Sequence, residues 1–405
     1  MNVLLIPQVF PPEVHPTAIM FEQLARALAR AGHRVTVACG YPHHPRGKLL
    51  GGYRKRLFLE EEKDRVRVIR VWHLTSTRRS IPMRAAVMAS QSLAAALAAQ
   101  AAERPDVVIN IGPPFVGPLA GAACALRFKV PLVTVIFDIY PDVAIATGRV
   151  KNPVVIRLAR VAEQLTYRLS DRIVVLSEGF RATMLERGVP ASKIEVIPVW
   201  LETDEVRPQS RNTRLRQQLG LGLDSFIVLF SGTIGLVSGA EVVADAGVLV
   251  HSPKVVFLFV GDGELLQRVQ GRVRELGATN VRFLPLQPRE RLAEVQATAD
   301  VGLVTLAPGC GKNSVPSKVV GYMAAGRPIL ASVDLESDTA RAVLDAGGTV
   351  VPPGDALALA RAVDDLASRD LGTAGARSRA AFERDHTGTS ALTRYAALLE
   401  SLAKR

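Results

Sequence analysis

The feature that most constrains this chain is an alternation of short apolar runs and amphipathic helical stretches, which stops once and then starts again. Asn2–Ile6 is a continuous apolar run, the pattern of a parallel strand buried on both faces. A helix is predicted at about Thr17–Ala31, because Phe21, Leu24, Ala25 and Leu28 fall on one stripe and Gly32 stops it. Further strands are predicted at Arg34–Ala38, Val66–Val71, Val107–Ile111, Leu132–Phe137, Arg172–Leu176 and Glu195–Ile197. The polar stretch Val199–Leu219 reads as a linker. The alternation resumes with strands at Phe226–Phe230, Val255–Val260, Val281–Phe283, Val301–Thr305, Ile329–Ala331 and Thr349–Val351, and a last helix at Ser390–Ala403. Strand–helix alternation builds doubly wound parallel sheets, so the expectation is an α/β chain of two Rossmann-like domains facing a central cleft. The expected boundaries are 1–200 and 201–387, with a terminal helix at about 388–405 returning to the first domain.

Composition removes several classes. With 48% hydrophobic residues the chain is neither disordered nor fibrous. Cys39, Cys124 and Cys310 are odd in number and far apart, which suits a reducing cytoplasm rather than a disulfide framework or a zinc site. The seven histidines lack zinc-protein spacing. Met1–Pro7 does not read as a secretory signal. Ala85–Ala102 holds ten alanines with Ser90, Gln91, Ser92 and Gln100, too polar for a membrane span. Residues 1–200 carry 27 basic against 15 acidic side chains, whereas residues 201–405 carry 23 of each. The whole excess of +12 therefore lies in the first half, which points to an anionic partner there. Nucleic acid is disfavoured, since aromatics are only 5% and do not interleave with the basic residues.

Candidate chemistry lies in loops that follow strands. No G-x-G-x-x-G follows the first strand, which weakens a dinucleotide-dependent dehydrogenase. Gln8–Pro16 stands there instead, and Glu13 and His15 either contact donor phosphate or acceptor hydroxyls or merely belong to a proline-shaped turn. Asp138 ends a buried strand and Asp142 follows four residues later; a carboxylate there could hold sugar hydroxyls, take a proton, or cap a helix. In the second half, Phe230–Gly235 (FSGTIG) offers a glycine turn that lets backbone amides approach a phosphate, and Gly261-Asp262-Gly263 is a similar turn with a structural role favoured. Gly309–Pro328 is the strongest local signal. Pro316 and Ser317 start a helix near Ser317–Ala325, and Lys318 sits in its first turn, where the dipole disfavours a cation unless an anion is near.

Taken in order, these segments resemble one family over nearly the whole chain. They are FPPE at Phe10–Glu13, LARALARAGHRVTVACG at Leu24–Gly40, DIYPDVAIATG at Asp138–Gly148, IPVWLETDEVRP at Ile197–Pro208, GTIG at Gly232–Gly235, VGDGELL at Val260–Leu266, ADVGLVTL at Ala299–Leu306 and VPSKVVGYMAAGRPILAS at Val315–Ser332. The chain resembles the retaining family 4 glycosyltransferases of GT-B fold, in the branch that builds bacterial O-antigens and capsules, typified by L-fucosamine transferases. The resemblance implies that the second domain binds a nucleotide sugar, with the base near Leu284–Arg289 at Leu286. It implies the diphosphate near Gly232 and Thr233 and near Ser314, Ser317 and Lys318, with Asn313 able to hydrogen-bond a sugar hydroxyl of the donor. The first domain would bind the acceptor, with Asp138 at the reaction centre; Glu13 and His15 are further catalytic candidates from their place in the loop after the first strand. It further implies no cofactor and no metal, and front-face attack with retention. Where the wider family has two glutamates, this chain has Asn313 and Gly321, which puts ribose recognition in doubt; Asp338 is a possible substitute.

The leading expectation is a hexosyl or N-acetylhexosaminyl transferase using a UDP-N-acetylhexosamine-type donor. Its partners would be a lipid-diphosphate-linked saccharide and an anionic membrane surface, on the cytoplasmic face of the plasma membrane. Arg54, Lys55, Arg56, Arg78, Arg79 and Arg84 are the basic residues expected at that surface. A GT-B nucleotide-sugar epimerase and an inactive relative serving as an assembly partner are the alternatives; assay with a panel of nucleotide sugars separates the three.

Overall fold

The computed structural model describes residues 1–13, 15–43, 47–53, 56–78, 80–112, 117–203, 205–312 and 315–403, without the side chains of residues 16, 81, 82, 84, 85, 117 and 403. The chain divides into two compact units. One comprises Met1–Asp142, Val150–Pro198 and Ala391–Arg405; the other comprises Val143–Arg149 and Val199–Ser390.

In chain order the first part runs β1 (Asn2–Ile6), α1 (Pro16–Arg30), β2 (Arg34–Gly40), β3 (Phe58–Lys63), β4 (Val66–Val71), α2 (Ile81–Gln100), β5 (Val107–Gly112), α3 (Gly117–Phe128), β6 (Leu132–Ile136), α4 (Asp142–Ala146), α5 (Pro153–Leu169), β7 (Arg172–Val175), α6 (Glu178–Glu186) and β8 (Ile194–Val196). Its sheet has the order β3-β4-β2-β1-β5-β6-β7-β8, parallel except for β3. β1, β5 and β6 are buried almost throughout, which is why they read as unbroken apolar runs. The strand β3, FLEEEK, went unrecognised in the sequence. It is a charged antiparallel edge whose Glu60 and Glu61 pair with Arg67 and Arg70 of β4, so cross-strand charge holds it rather than apolar alternation.

The second part runs α7 (Arg214–Gln218), β9 (Phe226–Ser231), α8 (Val242–Leu249), β10 (Val255–Val260), α9 (Leu266–Leu276), β11 (Val281–Leu284), α10 (Leu292–Thr298), β12 (Val301–Thr305), α11 (Lys318–Ala324), β13 (Ile329–Ser332), α12 (Asp338–Asp345), β14 (Thr349–Val351), α13 (Ala356–Ala367), α14 (Gly372–Asp385) and α15 (Gly388–Ala403). Its sheet is wholly parallel in the order β11-β10-β9-β12-β13-β14. The strand order reverses between β9 and β12. In such sheets ligands bind at that switch point, outside the carboxyl ends of the strands.

The stretch expected to be a linker is instead built into the second unit. Trp200 and Val206 are buried, and Thr213 caps α7. Arg216, 1% exposed, donates to Asp300 and to the carbonyls of Gly222 and Ser225. The polarity of this segment is thus internal pairing, since a buried charge is tolerated only with such partners.

Candidate donor and acceptor sites

At the switch point of the second unit, the parallel ladder of β9 and β10 continues past both strands. Gly232 donates to the Val260 carbonyl and Ile234 to the Asp262 carbonyl, each at 2.9 Å. Gly232 adopts φ +130°, which only glycine takes without strain. The two turns lie so close that a Cβ on Gly261 would stand 1.9 Å from the Gly232 carbonyl oxygen. This fixes the turn while leaving alternate amides out: those of Thr233 and Gly235 have no hydrogen-bond acceptor among the described residues. Thr233 itself is exposed.

Lys318 reaches this turn from the segment that follows β12. Its Nζ lies 3.4 Å from the centroid of the Phe230 ring. The Lys318 Cε comes within 3.6 Å of where a Gly232 Cβ would be. Lys318 forms no ion pair with any described carboxylate. The residue is half-buried, and desolvation holds its ammonium down to about pKa 7. A partly desolvated cation gains from a π face, and more from an anion. Ser317 precedes α11 without a side-chain cap, and α11 has seven residues, shorter than expected. Asn313 and Ser314 lie outside the described residues.

Tyr322 sets the height of Lys318. Its hydroxyl donates to the Leu229 carbonyl at 2.7 Å and accepts from the Ser231 amide at 2.9 Å, pinning α11 to the end of β9. Gly302 of β12 makes room, since a Cβ there would meet the Tyr322 ring at 2.2 Å. Neither Tyr322 nor Phe230 stood out in the sequence; the signal was a lone glycine in an apolar strand. Leu286 is half-exposed in the loop after β11. Beside Gly321 lies the buried amide of Gln296, whose Oε1 has no hydrogen-bond partner among the described residues. Asp338 is ion-paired to Arg341 on its own helix.

In the first unit, Glu13 and His15 follow β1 and Asp138 follows β6. The Glu13 carboxylate is 2% exposed and accepts from the amides of Phe10, at 3.2 Å, and His43, at 2.9 Å. It thereby shapes its own loop, which Arg70 also holds through the Pro11 carbonyl. His15 caps α1, its Nδ1 lying 2.8 Å from Thr17 Oγ1 and 3.4 Å from the Thr17 amide. Asp138 is half-buried just past β6. Asp142 has a different role: Arg160 and Arg187 both bind it, and Arg187 also binds buried Glu163. A cavity of 370 Å³ opens at the other, amino-terminal edge of this sheet, between Asn2, Arg34 and Glu103. Its lining mixes both signs, Arg34, Arg65 and Arg67 with Glu62 and Glu103, and Arg34 pairs with Glu103. Of the expected basic surface, Arg54, Lys55 and Arg79 lie outside the described residues, as does the Arg84 side chain.

Residues 17–200 match the glycosyl transferase 4-like domain, and residues 225–369 match glycosyl transferases group 1. The probable glycosyltransferase WbjE of Pseudomonas aeruginosa is 30% identical over 280 residues, 69% of this chain and 70% of that protein. WcaI of Escherichia coli K12, a candidate colanic acid biosynthesis glycosyl transferase, is 25% identical over 344 residues, 80% of this chain and 82% of that protein. Among solved structures, sucrose-phosphate synthase from Thermosynechococcus elongatus superimposes with a TM-score of 0.78 at 20% identity, covering 99% of both chains. Anabaena HepE in complex with UDP-glucose gives 0.71 at 18% identity, covering 99% of this chain and 100% of that one. At these identities the structural likeness speaks to the fold, which is GT-B: two Rossmann-like domains with parallel sheets.

Proposed function

This chain belongs to the glycosyltransferases that join a glycosyl transferase 4-like domain to a group 1 domain, and from that premise we propose that it moves a sugar from a UDP-sugar, of the N-acetylhexosamine type, to a saccharide carried on a lipid diphosphate. Its relative WcaI, named for colanic acid biosynthesis, supports a place in bacterial surface polysaccharide synthesis. The observation that carries the donor reading is Lys318: a half-buried lysine with no carboxylate partner among the described residues, beside a glycine turn with two amides that find no acceptor there. Charge that develops on a leaving diphosphate is stabilised by donors already fixed in a water-poor site.

In this reading the bond from the anomeric carbon to the diphosphate oxygen breaks while the acceptor oxygen bonds to the same face. The acceptor proton passes to the departing diphosphate, so configuration is retained. Lys318 and the amides of Thr233 and Gly235 stabilise the diphosphate. Leu286 supports the base, Asp138 borders the acceptor hydroxyl from the first domain, and Glu13 and His15 keep the β1–α1 loop in place for it. Asn313, Ser314 and Ser317 are assigned to the donor by their place in the motif. The reaction is taken to be independent of metal, and the chain to work at the cytoplasmic face of the plasma membrane.

Incubation of the purified protein with a panel of nucleotide sugars, with and without EDTA and a lipid-diphosphate-linked saccharide, tests this. Product from a UDP-sugar in EDTA, with the anomeric configuration kept by NMR, is expected. Turnover of a nucleotide sugar without transfer would favour an epimerase or hydrolase instead.

A further inference from the structure

Helix α5 buries polar groups while leaving apolar ones exposed. Its inward face carries Glu163, Thr166 and Tyr167 beside Ala159, and Glu163 meets Arg187 and the Tyr167 hydroxyl there. Its outward face carries Val154, Leu158, Val161 and Leu165, exposed by 65%, 65%, 60% and 43%. The spacing of four, three and four residues puts these side chains on one stripe, opposite the buried face. At 1.5 Å per residue the stripe is about 16 Å long. Leu126 of α3, the neighbouring helix, is also 68% exposed. An apolar stripe of this length left in water is a mark of an interaction surface.

The charges around it indicate the occupant. Lys151, Arg157 and Arg168 are exposed along α5 and at its start. The sequence of the neighbouring α3 contains no acidic residue, and the one acid of α5, Glu163, is buried; on the α6 side Glu178 pairs with Arg181 and Glu186 is exposed. A second copy of the chain would set the exposed cations of α5 against themselves. An anionic lipid leaflet would neutralise it and accept the apolar stripe at the boundary between headgroups and acyl chains. We infer that α5 lies in the plane of an anionic membrane, with Val154, Leu158, Val161 and Leu165 inserted and Arg157 and Arg168 at the headgroups. This deepens the reading of the acceptor as lipid-linked and rests on it. The docking element is then an amphipathic helix, distinct from the basic segments around residues 54–56 and 78–84.

The test is flotation of the full chain with vesicles rich in phosphatidylglycerol and with pure phosphatidylcholine vesicles, comparing wild type with Leu158→Glu/Val161→Glu and the milder Leu158→Ser/Val161→Ser. Both positions are exposed, so circular dichroism and Tm should match wild type. Wild type should float with the anionic vesicles and keep part of its binding in high salt; the glutamate pair should lose about tenfold or more, the serine pair less. Equal flotation of wild type and both variants overturns this surface but leaves the membrane reading standing. Failure of the wild type to float with either vesicle overturns docking, while transfer to a detergent-solubilised lipid-linked acceptor still reports on the transferase reading. A dimer by light scattering that the variants dissociate also overturns the proposal, since a second copy would then cover the stripe.

Discussion

Lys318 Nζ stands over the Phe230 ring, 3.4 Å from its centroid, at the carboxyl end of β9. The two residues come from opposite sides of the β9–β12 switch point, and no described carboxylate shares the site. In the proposed reading a diphosphate replaces the ring as partner of the ammonium, since a cation gains more from an anion than from a π face.

Lys318→Ala should therefore weaken UDP binding by about tenfold or more, since a charge-assisted hydrogen bond contributes about 1.5–3 kcal/mol. The variant should fold normally, because it removes a cation that folding desolvates. Calorimetric titration with UDP checks this, and unchanged affinity removes Lys318 from the donor site.

The pH dependence carries a sign. The folded-state pKa of Lys318 is lowered to about 7, below its unfolded value of about 10.4. Between these values the unfolded chain binds more protons, so the stability of the free protein should rise with pH across that window. Binding of a diphosphate restores the charge. Affinity for UDP should be level just below pH 7 and fall by up to about tenfold per unit above it. In Lys318→Met both trends should vanish, which separates this lysine from every other titrating group.

The turn itself can be tested without touching a charge. Gly261→Ala places a Cβ 1.9 Å from the Gly232 carbonyl oxygen, so the backbone must move. A loss of about 1–3 kcal/mol in stability is expected, with weaker UDP binding. Tyr322→Phe leaves the Ser231 amide and Leu229 carbonyl without their shared hydroxyl, and about 1–3 kcal/mol should be lost. Denaturant melts and UDP titrations on both variants report the two effects separately.

Asp138→Asn should lower turnover far more than UDP affinity. The carboxylate belongs to the first unit, whereas the residues proposed for the diphosphate all belong to the second. Steady-state kinetics beside a binding titration decides this; wild-type kcat in the variant would reduce Asp138 to a turn residue.

Much of the architecture was legible in the residues. Buried parallel strands read as apolar runs because both faces are covered, so β1, β10 and β12 have the expected bounds; β4 and β14 have them too, although β4 carries Arg67 and Arg70 and β14 is a partly exposed edge. The edge strand β3 was not legible, because its stability is cross-strand pairing with Arg67 and Arg70, which no single-strand pattern records. The segment from Val199 to Leu219 misled for the same reason: its charges look solvated until Asp300, far along the chain, is seen to bind Arg211 and Arg216.

At the candidate site the sequence by itself determined that a glycine turn and a lysine follow two strands, since both are local and chemical. Only the tertiary structure decided that they meet, because the β9–β12 switch point brings together residues about ninety positions apart and Tyr322 fixes the spacing. It also decided that Glu13 folds into its own loop, that Asp142 serves two arginines, and that α5 turns its valines and leucines outward. Periodicity finds an amphipathic helix but not which face the rest of the chain covers, for that depends on the partners each side finds after folding.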